Sequence, residues 1–284
     1  MKKVAILTDS TAYLPTAYLK AEQVTTVPLN VIWEEKVFED GVDITPEEFY
    51  EKLKNTKKMP TTSQVSAGRM QEKFQELLDQ GFDVLGIFIS STLSGTVQSA
   101  QQARELIEKD RERIAIVDSQ TTTMAMGFQV LAAARAATQG LSLAECREIA
   151  EQARKHTGVY FVVDTLEFLH RGGRIGGAQR FLGTALNMKP ILHINDGKIE
   201  ALQRVRTKGK ALDRLIELVE EQCAGKGKIQ MAAPNASASE EARQVLDKIA
   251  QRLDVSESMI TDLSPVIGTH VGPGTVALAY MTEH

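Results

Sequence analysis

The sequence predicts an α/β fold in two α/β domains, with a mainly parallel sheet in the first. Three observations carry this. Short apolar runs alternate with amphipathic helical segments along most of the chain. Three of those runs in the first half end in clusters of hydroxyls. The length, 284 residues, suffices for two domains or for one large α/β domain, and a change of pattern near Gly158 favours two.

The elements follow in order. The run 4–7 leads into Thr8-Asp9-Ser10-Thr11, and Pro15 opens a helix to about residue 23. Residues 24–33 read as one strand, with Glu34-Glu35 turning into a short strand at 36–38. Thr45-Pro46-Glu47-Glu48 is a helix start, the threonine capping, the proline fitting the first turn and Glu48 closing a capping box. Residues 59–64 read as a polar loop, after which Ser66 caps a helix to Leu78. A strand at 82–89 and a helix at 94–109 follow, then a strand at 114–117 and an alanine-rich helix at 124–138, apolar enough to be buried on most sides. Ser142 and Glu145 form a second capping box for a helix ending near His156. Gly158 marks the boundary between an N-terminal domain, 1–157, and a C-terminal domain, 158–284.

Beyond it come a strand at 159–163, a short helix at 166–169, and a stretch rich in glycine and arginine, 171–177. Runs 190–194 and 198–202, joined by Asn195-Asp196-Gly197, make a β-hairpin. A helix at 208–223, a strand at 228–232, a helix at 237–252 and a strand at 258–262 continue the alternation. Gly272-Pro273-Gly274 turns into a last strand, 275–281.

Composition narrows the function. Hydrophobic residues make up 43% and charged residues 25%, ordinary for a globular protein. A formal charge of −4 argues against a nucleic-acid binder. The amino terminus is too brief in apolar residues for a signal peptide, and no stretch is long and uncharged enough to span a bilayer, so neither secretion nor stable membrane insertion is expected. Cys146 and Cys223 lie far apart outside any C-x-x-C pair, as reduced structural cysteines of a cytoplasmic protein do. The five histidines lack metal-ligand spacing.

The chemistry concentrates in the hydroxyl clusters. Ligands of open parallel sheets bind beyond the carboxyl ends of the strands, where Thr8–Thr11, Ser90–Thr96 and Asp118–Thr123 all fall. Ser90-Ser91-Thr92-Leu93-Ser94-Gly95-Thr96 aims hydroxyls and backbone N–H groups at one spot before a helix, a setting that favours an anion. A helix cap needs one hydroxyl, and this segment has five. Thr61-Thr62-Ser63-Gln64 is either a second ligand-facing cluster or a cap for the helix after it. Arg171–Gly177 lacks G-K-[ST] and reads by spacing as a tight turn with solvated arginines; the functional alternative puts Arg174 beside a carboxylate or phosphate. His270, two residues before a glycine, is by itself a structural histidine or one packed closely against a ligand. Lys198, Arg204, Arg206, Lys208 and Lys210 form a basic cluster, a solvated face or a docking surface for an acidic partner. Met124, Met126 and Phe128 are either core or the wall of an acyl tunnel.

Taken in order, Thr8–Thr11, Thr62-Ser63-Gln64, Ile89–Thr96, Phe168-Leu169 with Gly172-Gly173-Arg174-Ile175, Lys189–Leu192 and His270 with Gly272-Pro273-Gly274-Thr275 resemble the DegV family of bacterial fatty-acid-binding proteins. The one departure noted is Val65, where the family often has proline. The resemblance implies two α/β domains with a long-chain fatty acid buried between them and no other cofactor. It sets the carboxylate near Thr62 and Ser94, with Arg174 and His270 close by; Thr61, Ser63 and Ser91 stay candidates. In many members a separate fatty acid kinase converts the bound acid to an acyl phosphate with ATP, which would make this chain the acyl-carrying subunit in phospholipid metabolism. Arg204 and Arg206 are the candidates for the kinase-facing surface. A rival reading from the residues is an ester or thioester hydrolase with Ser94 or Ser91 as nucleophile and His270 as base. The G-x-S-x-G elbow is missing, however, and no acid is placed to orient the histidine. A third is a sugar- or amino-acid-binding protein with a wetter pocket.

Overall fold

A computed structural model describes residues 3–56, 58–183 and 188–283. The first sheet has the order β2 (Val24–Val27), β1 (Val4–Asp9), β6 (Asp83–Phe88), β7 (Ile114–Asp118), with every pairing parallel. All six residues of β1 are buried, as expected of a strand covered on both faces. A small antiparallel sheet, β4 (Lys36–Glu39), β3 (Asn30–Trp33), β5 (Thr61–Ser63), stands beside it. The second half of the chain supplies a six-stranded mixed sheet. Its order is β10 (Lys198–Val205), β9 (Lys189–Asn195), β8 (Thr157–Val162), β13 (Val276–Thr282), β11 (Ile229–Asn235), β12 (Val255–Asp262), parallel only between β11 and β12.

Helices α1 (Thr16–Ala21), α3 (Ala67–Asp79), α4 (Thr96–Leu106) and α6 (Leu143–His156) belong to the first half. Both capping boxes form, Thr45 with Glu48 opening α2 (Pro46–Asn55) and Ser142 with Glu145 opening α6. Helix α5 (Thr123–Thr138) packs on β1 and β6 of the first sheet and on β8, β13 and β11 of the second. Lying between two sheets, it is apolar around most of its circumference. Gly127 lets it close on the turn after β1, since a Cβ there would stand 2.6 Å from the Ala12 carbonyl oxygen. Helices α8 (Lys208–Cys223) and α9 (Ser239–Ala250) cover the far face of the second sheet, where Leu215, Val219 and Val245 pack with Tyr160, Met231 and Leu278.

Three expectations change. The single strand at 24–33 is two strands in two sheets. Pro28 has no N–H for a ladder, and the chain turns there from the parallel sheet into the antiparallel one. The polar loop at 59–64 contains β5, paired with β3 as Val31 with Thr62 and Asn30 with Ser63. Between β12 and the final turn lies an unexpected helix, α10 (Pro265–Val271), with Ser264 before it and proline in its first turn. The remaining short helix, α7 (Glu167–Arg171), precedes the glycine-arginine stretch. Both cysteines are buried and free. No helix among the described residues is long and apolar enough to cross a membrane.

Candidate functional site

Between the two sheets lies a cavity lined by residues of both halves of the chain. Its wall is mostly aliphatic and aromatic, with Leu29 and Ile89 from the first half and Val159, Phe161, Ile194 and Ile267 from the second. Four of the residues singled out by the sequence enter it from four separate places. Thr62 comes from β5, Ser94 from the turn before α4, Arg174 from the loop after α7, and His270 from the last turn of α10. Ser63 and Gln64 also line it.

Hydrogen bonds hold these side chains in place. The Thr62 Oγ1 and His270 Nε2 atoms are 2.8 Å apart. Ser94 Oγ lies 2.9 Å from Thr96 Oγ1. The Arg174 guanidinium donates through Nε to the Leu93 carbonyl at 3.1 Å and through Nη1 to the Gly172 carbonyl at 2.8 Å, which fixes it beside Ser94. The His270 ring fits because residue 172 has no side chain, as a Cβ there would come 2.2 Å from Nδ1. Burial, and after it the charge of Arg174, push His270 down to about 4, so the ring is neutral at neutral pH. Its Nδ1 is buried without a hydrogen-bond partner among the described residues.

The structure therefore brings Thr62, Ser63, Ser94, Arg174 and His270 to one cavity. Ser91 is not among them. It is exposed and donates to Asp118 at 2.5 Å. The other hydroxyls of its cluster divide their work: Ser90 donates to the Gly197 carbonyl at 2.9 Å and Thr92 to the same oxygen, tying the β9–β10 turn to the first half. Thr61 is exposed on β5. Met124, Met126 and Phe128 are fully buried in the core and absent from the cavity wall. Arg204 and Arg206 lie outside it as well, Arg204 half-buried with its guanidinium 4.8 Å from the Phe181 ring and Arg206 exposed.

Two lining residues escaped sequence reasoning. Thr122 and Thr123, at the start of α5, face the cavity with buried hydroxyls that have no partner among the described residues. Thr123 also has a φ of +58°, a rare setting for a β-branched residue. The signal was the third hydroxyl cluster at the end of β7, which singled out no one residue. Also unforeseen was Asp40, buried behind α10. It accepts hydrogen bonds from Ser10 Oγ at 2.7 Å, Ser264 Oγ at 2.7 Å and the Val266 N–H at 3.1 Å. Among the described residues no group of three or more His, Cys, Asp or Glu could hold a metal ion.

Comparison with known proteins gives one consistent picture. The family model DegV, described as "Uncharacterised protein, DegV family", matches residues 3–283. A DegV domain-containing protein of Halalkalibacterium halodurans is 37% identical, with 100% of each chain covered. A solved DegV family protein from Thermus thermophilus, presented as binding fatty acid, superposes with a TM-score of 0.93 at 35% identity over 99% of both chains. A stearic-acid-binding protein from Eubacterium ventriosum superposes with a TM-score of 0.91 at 26% identity, covering 100% of this chain and 99% of its own.

Proposed function

The chain belongs to the DegV family, and from that premise we propose that it binds a long-chain fatty acid between an N-terminal domain (1–157) and a C-terminal domain (158–284). The observation that carries the reading is the convergence of Thr62, Ser94, Arg174 and His270 on a mostly apolar cavity between the two sheets. Each methylene removed from water contributes about 0.8 kcal/mol, so a long acyl chain supplies on the order of 10 kcal/mol before entropic costs. A carboxylate entering such a place must be hydrogen-bonded throughout.

The donors suit that task. Thr62 has one hydroxyl proton. To give it to a carboxylate oxygen, its own oxygen must accept from His270 Nε2–H. His270 is then the neutral tautomer with a bare Nδ1, which agrees with the absence of any acid beside that atom among the described residues. Ser94 and the guanidinium N–H groups of Arg174 not used by backbone carbonyls complete the cradle, with Ser63 beside it. The same arrangement speaks against hydrolysis, because Nε2 is engaged by Thr62 and Ser94 bonds Thr96.

In this reading the protein is the acyl-carrying partner, in the cytoplasm, of a separate ATP-dependent fatty acid kinase that forms the acyl phosphate. Arg204 and Arg206 form the docking surface for the kinase. Native mass spectrometry of freshly purified protein, followed by lipid extraction, tests the first step: a releasable fatty acid is expected, and a protein that neither carries nor takes up one refutes it. Ser94→Ala should weaken acyl retention about tenfold, the worth of one charge-assisted hydrogen bond. Charge reversal at Arg204 and Arg206 should slow acyl-phosphate formation by the added kinase without altering acid retention.

A further inference from the structure

The head-group site spans both halves of the chain. Thr62 and Ser94 come before Gly158, Arg174 and His270 after it. The 2.8 Å contact between Thr62 and His270 therefore depends on where α10 stands against the first half. His270 does not fix that place by itself. Its Nδ1 has no partner among the described residues, and Gly172 beside it supplies room rather than a bond. The backbone of α10 sets the position of the ring.

That backbone is held largely from the first half. Helix α10 packs on α2, β3 and β5 of the first half and on α7 of the second. Ser264, at its N-cap, makes no cap bond with its own side chain. First-turn N–H groups have no partner within a helix, and Asp40, 226 positions away, accepts that of Val266 at 3.1 Å. The other Asp40 oxygen accepts from Ser264 Oγ at 2.7 Å. Tyr50, buried on α2, donates its hydroxyl to the Leu263 carbonyl at 3.0 Å. It also lies against Gly268, where a Cβ would come 2.5 Å from the Tyr50 hydroxyl oxygen and 2.9 Å from the Phe49 ring. From Val266 to His270 the helix advances only about 6 Å, so a displacement of the amino end carries through to the ring.

We infer that Asp40 and Tyr50 are positioning residues of the head-group site, acting through α10 on the contact between His270 and Thr62. This rests on the fatty-acid reading above and deepens it. Both residues lie outside the cavity wall, so their loss reaches a ligand only by moving α10.

The test separates head group from chain. Delipidated protein is incubated with equimolar stearic acid and octadecanol, which has the same chain without the carboxylate, and the ratio retained is read by mass spectrometry of the extract. Tyr50→Phe keeps the ring against Gly268 and removes only the donated bond. It should shift the ratio about fivefold toward octadecanol. Asp40→Asn, which replaces one acceptor oxygen by a donor amide, should shift it the same way. In a His270→Gln background Tyr50→Phe should move the ratio no further, because the group it positions is gone. A ratio that neither variant moves, even where total retention falls, overturns the inference and leaves fatty-acid binding standing. A Tyr50→Phe shift undiminished by His270→Gln does the same. Retention of neither ligand by the unmutated protein overturns the fatty-acid reading and the inference with it.

Discussion

The two ends of α10 each hold a buried titratable group, and the two are treated differently. Asp40 at the amino end accepts three hydrogen bonds, and Ser264, one of its donors, lies 2.8 Å from the Tyr13 hydroxyl. His270 at the carboxyl end meets Thr62 alone, and its other nitrogen has no partner among the described residues. Burial pushes Asp40 up to about 6 and His270 down to about 4. A fully satisfied buried group anchors structure. One left partly satisfied on a cavity wall is available to a ligand. Helix α10 thus joins an anchor to a site within seven residues.

The largest effect expected is on the anchor. Asp40→Ala removes the acceptor for two hydroxyls and a helix N–H, and should cost about 3 kcal/mol, read as a lower urea midpoint. A midpoint equal to that of the unmutated protein would break the comparison.

Next comes pH. His270, with Arg174 the charge facing it, is held below its ordinary 6.5. Between pH 6.5 and about 4 the unfolded chain takes up a proton that the folded one refuses, so stability falls with acid by on the order of 3 kcal/mol over the window. Asp40, raised above its ordinary 3.8 by burial, with Asp9, Ser10, Ser264 and Val266 around it, works in the other direction. The folded chain takes its proton first, and stability rises as pH falls from about 6. The two slopes oppose each other over nearly the same range. Asp40→Asn should steepen acid destabilisation and His270→Gln should flatten it; denaturation midpoints at pH 4.5 and 7 that move alike in both variants would refute the assignment.

Smaller effects sharpen the site. Thr62→Val removes the 2.8 Å contact with His270 and one head-group donor, and should weaken acyl retention about tenfold in a lipid-exchange assay. Ser91→Ala, outside the cavity, should change it less than twofold. A loss as large as that of Thr62→Val would move the head group toward Asp118.

Local signals were readable wherever the partners are close in sequence. Both capping boxes stand where their residues put them, and the helix at 208–223 keeps both bounds. In the hairpin turn, Asp196 and Gly197 both have positive φ, at 47° and 80°, as a tight two-residue turn requires. Pro28 was visible but read as part of one strand, since either side of it is β-forming. The strand β5 escaped because its short, hydroxyl-rich sequence becomes a strand only against β3, some thirty residues earlier. Apolar content in α5 suggested an acyl wall at Met124, yet its neighbours Thr122 and Thr123 face the cavity, because the direction of a helix start depends on what the helix packs against.

Caps, turn handedness, the alternation of strand and helix and the hydroxyl-rich strand ends were therefore set by the sequence alone, through steric and hydrogen-bonding preferences acting over a few residues. Which hydroxyls share a cavity was decided only by tertiary structure. The contact between Thr62 and His270 joins positions 208 apart, and the Gly197 carbonyl binds Ser90 from 107 away. Such meetings follow from how two sheets pack around α5, a long-range result of burying apolar surface that no local pattern encodes.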